Sequence, residues 1–170
     1  RQMCIRDRNK LNQGTRALDL PLGDGTVERE NKGNSQVEKM LQLVWALLSN
    51  GSYFSIENPS SSFLWRHPEI QKLEEHGVFK VRFCQCMFGL RAPGSKDDER
   101  VKKDTTVLTN VGTLRKLACR CDRSHKHLHA FGKIRINGKL THVSKIAGRY
   151  PPQLCSRWAK LVAEHVSSLA

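Results

Sequence analysis

No stretch of this chain approaches the ~20 consecutive apolar residues that a membrane-spanning helix needs, so no span of a bilayer is expected. It also does not open on the pattern of a secretory signal. Cys-x-x-Cys spacing is missing. The thiols fall instead as Cys84-x-Cys86 and Cys119-x-Cys121, with Cys4 and Cys155 apart from them. Six cysteines in 170 residues do not make a disulfide framework. Reduced thiols in an intracellular, reducing compartment are expected, whether nucleus or cytoplasm. Acidic residues are scarce, above all in the last third. The chain has 29 Lys and Arg against 16 Asp and Glu, a net of +13. From Val111 to Ala170 the count is 12 basic and 2 acidic; from Asn9 to Asn110 it is 14 and 13. That asymmetry suits a polyanionic partner, nucleic acid in the first place, DNA or RNA. The plainer alternative is a solvated basic surface with no partner. A membrane-surface role fits less well, because the basic residues lie in turns and short strands as well as on the last helix.

What remains reads as one small domain. Arg1 to Arg8 resembles the translation of a sequencing adapter and is set aside from the fold. Residues 9–34 carry Gly14, Gly23, Gly25, Gly33 and Pro21 without periodicity, which predicts a loop. Residues 35–170 are expected to form a single α/β domain. A helix is predicted over Ser35–Ser49, its stripe Val37, Met40, Leu41, Val44, Trp45, Leu47 and Leu48, with Ser35 as cap. A buried strand follows at Tyr53–Glu57, stopped by Pro59. Pro68 starts a second helix and Gly77 ends it. Val78–Phe83 alternates as a strand, residues 91–104 read as a charged, solvated loop, and Thr105–Leu108 as a third strand. Thr109-Asn110 is expected to cap a short helix over Val111–Ala118. Phe131–Val143 reads as a basic hairpin turned on Asn137-Gly138, Ile134 and Ile136 facing Leu140 and Val143. A last helix begins at Pro151-Pro152, with Cys155 as a core thiol. The order suggests half of a doubly wound sheet.

The chemistry concentrates in two places. The first is Phe54-Ser-Ile-Glu-Asn-Pro-Ser-Ser-Ser-Phe-Leu-Trp65, which puts Glu57 at the carboxyl end of a strand, where open α/β sheets bind ligands. The second is Cys119-Arg-Cys-Asp-Arg-Ser-His-Lys-His-Leu-His129. With Gln85-Cys-Met-Phe-Gly-Leu90, Leu108-Thr-Asn110, Tyr150-Pro151 and Leu154-Cys155, these resemble a segment of mobile-element (retrotransposon) polyproteins. That segment is similar in order to the second half of cytosine-5 DNA methyltransferases. The resemblance implies a partial Rossmann-like methyltransferase sheet. It implies S-adenosylmethionine as cofactor and a base flipped out of its helix as substrate. Glu57 would hold the base, with Asn58 beside it; Pro59, Ser61 and Gln85 would shape the pocket. The chain departs from the family at Cys84, where the family has Asp, and at Asp104, where it has Pro. It contains no Pro-Cys nucleophile and no glycine-rich cofactor loop. Both are expected upstream of residue 1, which leaves an incomplete enzyme here.

Cys86, Cys121, His125 and His127, the positions shared with that family pattern, would make a two-Cys, two-His zinc site. The alternative is surface histidines in a basic loop and buried thiols. Lys133, Arg135 and Lys139 make the hairpin a candidate nucleic-acid ribbon; lysines guarding an exposed edge is the bland counterpart. Three readings follow: an incomplete nucleic-acid methyltransferase-like domain, a basic zinc-stabilised nucleic-acid-binding module without catalysis, or an inactive degenerate fragment.

Overall fold

A computed structural model describes residues 13–130, 132–136 and 138–169; the adapter-like residues 1–8 and the turn residue Asn137 lie outside them. The described residues mix helix and strand, with three small sheets among them. In chain order the elements are α1 (Glu28–Ser49), β1 (Ser55–Pro59), α2 (Pro68–Leu73), β2 (Phe79–Cys84), β3 (Glu99–Lys102), β4 (Asp104–Thr109), β5 (Lys126–His129), β6 (Lys133–Ile136), β7 (Lys139–His142), α3 (Val143–Ala147) and α4 (Pro152–Ser167). One sheet has the order β1-β4-β2; β3 pairs with β5 and β6 with β7. The chain divides into two compact units, Arg1–Lys80 with Val107–Asn110, and Val81–Thr106 with Val111–Ala170.

In the first unit the predicted stripe of α1 is core. Val37, Leu41 and Val44 are buried with Phe54, Leu64, Trp65, Ile70, Leu73, Val78 and Leu108. The helix begins seven residues before the expected Ser35, at Glu28. The reason lies outside the periodic stripe. Glu30, in the first turn, accepts from the Thr15 amide at 2.9 Å and the Thr15 hydroxyl at 2.5 Å. Arg16 donates through Nη2 to the Glu30 carbonyl at 3.3 Å and to Asn34 Oδ1 at 2.7 Å. A buried carboxylate at a helix start is held by these donors and by the positive end of the helix. Gly23 closes against the same group. Its φ is +79°, and a β-carbon there would run into the Glu30 carboxylate and the Thr15 hydroxyl.

The strand of the first motif is shifted. Tyr53 is exposed, and β1 runs through Pro59 rather than stopping before it. Proline is tolerated because β1 is an edge strand and only the missing N–H matters. The Pro59 carbonyl accepts from the Trp65 indole at 2.8 Å and the Ser62 amide at 3.0 Å. Thr109 and Asn110 do not cap a helix. Asn110 accepts from the Phe54 amide at 3.0 Å and donates to the Ser52 carbonyl at 2.9 Å, and the Thr109 hydroxyl donates to the Phe54 carbonyl at 2.6 Å. The helix after them is a 3-10 turn, Gly112–Leu117.

The second unit buries Leu90, Ala92, Val101, Val143, Ile146 and Ala147, with Leu128, Ala130, Ile134 and Ile136 packed on them. The charged stretch 91–104, expected as solvated loop, contains β3, which runs parallel to β5. Four residues with one buried side chain, Val101, gave too short a period to be read from sequence. In the hairpin, Ile134 lies opposite Thr141 and Ile136 opposite Lys139, so Leu140 does not face the isoleucines. Val143 begins α3, a helix without a sequence signal of its own. Along α4, Leu154 and Leu161 are buried as expected, but Cys155 is exposed rather than a core thiol, and Val166 is exposed too.

His67 is the buried cap of α2: its Nδ1 accepts from the Glu69 amide at 3.2 Å. Burial lowers its pKa below the unfolded value of 6.5. The unfolded state therefore binds a proton that the folded state resists. This contribution is full above pH 6.5 and is lost as pH falls from there through the lower folded-state pKa. His67→Asn keeps a capping oxygen without a titrating ring. Denaturant unfolding is expected to show the wild-type stability falling below pH 6.5 and a flatter profile in the variant; equal slopes would exclude His67 as the cause.

Candidate metal centre

Both candidate sites can now be placed. The first lies in the first unit, and much of its motif is structural. Asn58 is buried and donates through Nδ2 to Ser62 Oγ at 3.0 Å; the same oxygen accepts from the Leu64 amide at 3.2 Å. Ser62 is thereby the cap of the turn Phe63–Arg66, as expected of this serine run, while Ser61 is exposed. Asn58, Pro59, Ser62 and Trp65 together fold the chain from strand into turn. Glu57 is half-buried on β1, with Oε1 out of contact with solvent. Gln85 belongs to the second unit: fully buried, it donates through Nε2 to Thr105 Oγ1 at 2.9 Å.

The second site gathers four side chains. Donor atoms of Cys86, Cys121, His125 and His127 all lie within 4.8 Å of one another. Cys121 Sγ is 3.6 Å from His125 Nε2 and 3.4 Å from His127 Nε2. A tetrahedral ion with the usual metal–sulfur and metal–nitrogen bonds sets sulfur and nitrogen about 3.6 Å apart, which these distances match. The two rings meet edge to face, centroids 4.8 Å apart, and Ser124 Oγ lies 3.4 Å from His125 Nδ1.

Local structure explains the convergence. Cys86 sits in a 3-10 turn, Gln85–Phe88, directly after β2. Cys119 is bridged to the end of the same strand: its amide donates to the Arg82 carbonyl at 3.3 Å, and its carbonyl accepts from the Cys84 amide at 3.2 Å. Two residues on, Cys121 therefore lies beside the Cys84-x-Cys86 pair, and its amide donates to Cys84 Sγ at 3.3 Å. Asp122 then turns the chain, accepting from the Ser124 amide at 3.0 Å and hydroxyl at 2.7 Å. Arg123 takes a left-handed backbone, φ 62°, and its amide donates to Cys121 Sγ at 3.3 Å. Such a conformation is costly for a residue with a β-carbon and persists where its surroundings hold it. Next comes β5, carrying His127. It pairs with Arg100 of β3, whose Nη1 donates to the Cys86 carbonyl at 3.1 Å. Neither β3 nor this arginine contact has a sequence signal, since Val101 is the one apolar residue of Glu99–Lys102.

The electrostatics fit a cation. Burial, then the hydrogen bond and charge of Cys121, push the Cys86 thiol up to about 12. Burial and the Asp104 carboxylate push Cys84 up to about 11. His127 is lowered by burial, then by His125 and Lys102, which favours the neutral ring a metal needs. A divalent ion held by Cys86, Cys121, His125 and His127 would offset the penalty on the Cys86 thiolate and would favour loss of its proton. The donor set is compatible with zinc, all four positions taken by protein, so the centre has no position argued for a substrate.

No protein-family model matches the chain, and no curated protein or solved structure is significantly similar to it.

Titration with cobalt(II) is expected to give the visible bands of a tetrahedral thiolate site at one ion per chain. Cys86→Ser and His127→Ala should each abolish them, and Cys84→Ser should not. Bands that survive Cys86→Ser would show that the metal is held elsewhere.

Proposed function

We propose that the chain is a zinc-stabilised nucleic-acid-binding module. The observation that carries this reading is that the four-ligand cluster and the charge share one unit. The second unit holds eighteen basic and six acidic residues, against eleven and ten in the first. The zinc would be structural: it would tie the turn after β2, the Cys121 loop and β5 together, and its binding free energy would count toward folding. The partner would be DNA or RNA, held largely through phosphates, since net charge of this kind carries no sequence information. Binding to a short labelled oligonucleotide should fall steeply and linearly with salt on a log–log plot, and should be lost when a chelator removes the metal. Binding that is independent of salt, or absent, contradicts the reading.

A second reading has one observation in its favour. Glu57 stands half-buried near the carboxyl end of β1 with one carboxylate oxygen removed from solvent. That suits the methyltransferase-like ancestry, a partial Rossmann-like sheet whose S-adenosylmethionine-binding loop this chain would not itself carry. The experiment is methyl transfer by a protein extended upstream of residue 1. Under this reading Glu57→Gln lowers kcat at least a hundredfold, the low end of what a positioned acid–base group contributes. An extended protein with no transfer leaves the binding module or a degenerate fragment.

A further inference from the structure

We infer that the outward face of the β6–β7 ribbon, formed by Lys133, Arg135 and His142 around Leu140, grips a phosphodiester backbone, and that Lys139 is not part of this surface. The inference rests on the nucleic-acid reading above and deepens it. The register decides the face. Lys133 lies opposite His142 and Arg135 opposite Leu140. Directly opposed residues of an antiparallel pair share a face, as do residues two apart on one strand. The other face carries Ile134 and Ile136, which pack on the core of the second unit. The ribbon therefore has one side fixed against apolar side chains and one side turned out. Lys139, opposite Ile136, belongs by register to the inner set and reaches solvent from the turn end.

Three features make the outer side a backbone surface rather than a guarded edge. First, Lys133 and Arg135 stand about 6.8 Å apart along the strand, the order of the spacing between successive phosphates of one strand. Second, Arg135 Nη1 donates to the Gly138 carbonyl at 3.0 Å. That bond fixes the guanidinium and uses one of its five donors, so less rotamer entropy is lost when a phosphate binds. Third, there is no Asp or Glu between Arg123 and Ala163, so no carboxylate from this stretch competes for the cations. The acids at its borders are engaged, Asp122 with Ser124 and Glu164 with Lys116 at 3.0 Å. Leu140 is 53% exposed between the cations. A solubilising ribbon gains nothing from an exposed leucine, whereas a sugar edge between two phosphates is an apolar partner for it. Nothing in this face distinguishes bases, so the contact is to phosphate and sugar, which RNA and DNA share.

The test uses the metal-loaded full chain and fluorescence anisotropy with single-stranded and duplex oligonucleotides, both DNA and RNA, over a salt series. The Lys133→Ala/Arg135→Ala double variant should lower the slope of log affinity against log salt by about 1.4 on single strands and about 1.8 on duplex. Lys139→Ala should leave the slope unchanged. Leu140→Ala should weaken binding equally at all salt concentrations. Circular dichroism and metal content, unchanged in all variants, separate lost contacts from lost folding. Wild-type binding with an unchanged slope in the double variant overturns the inference and leaves the nucleic-acid reading standing. A wild type that binds phosphatidylserine vesicles and no oligonucleotide overturns both.

Discussion

Four side chains that lie as far apart as residues 86 and 127 in sequence bring their donor atoms within 4.8 Å of one another, and they come from three segments of the second unit, the turn after β2, the Cys121 loop and β5. Without a cation the arrangement has little to recommend it. Two thiols and two imidazoles sit in contact, one thiol fully buried and hard to ionise. Two short strands, β3 and β5, pair in parallel over only four residues, and Arg123 holds a left-handed backbone. The buried thiol and the left-handed Arg123 each carry a free-energy cost. A tetrahedral metal would offset both, because its binding would supply folding free energy to the segments it joins.

The two motifs thus divide their labour in different ways. Around Glu57, Asn58, Ser62 and Trp65 spend their polar groups on one another and on backbone, and the motif reads first as a device for folding strand into turn. Around Cys121, polar groups bond to the cluster residues themselves: the Arg123 amide donates to the Cys121 sulfur, Ser124 Oγ lies beside His125 Nδ1, the ring nitrogen away from that sulfur, and Arg100 donates to the Cys86 carbonyl. Outer partners of this kind orient ligands and settle their protonation. The charge excess lies in the same unit, so the element that would be ordered by metal is also the element fit for a polyanion.

Local sequence signals fix an element where one residue type forces one geometry. The Pro68 start of α2, the Gly77 stop of the 3-10 turn Glu74–His76 that continues it, the stripe of α1, the alternation of β2 and the hairpin strands at residues 133–136 and 139–142 all stand where the pattern put them. That Cys86, Cys121, His125 and His127 would lie together was also legible, although Cys-x-Cys spacing alone does not say which thiol turns toward the histidines. What failed was set by contacts distant in sequence. The start of α1 depends on Thr15 and Arg16 meeting Glu30. The strand β3 exists through its pairing with β5. Asn110 looked like a cap because it could not be known that Phe54 and Ser52 would claim its amide. Ser61 and Ser62 are indistinguishable in a serine run, and only the turn geometry shows that Ser62 is the buried one.

The most direct measurement is X-ray absorption at the zinc K-edge on the purified full chain. The account predicts a first shell of two sulfurs at about 2.3 Å and two imidazole nitrogens at about 2.0–2.1 Å. A four-sulfur shell would mean that Cys84 and Cys119 displace the histidines, and protein that carries no zinc after purification in its presence would mean that the cluster is only a group of neighbouring side chains; either result contradicts the account.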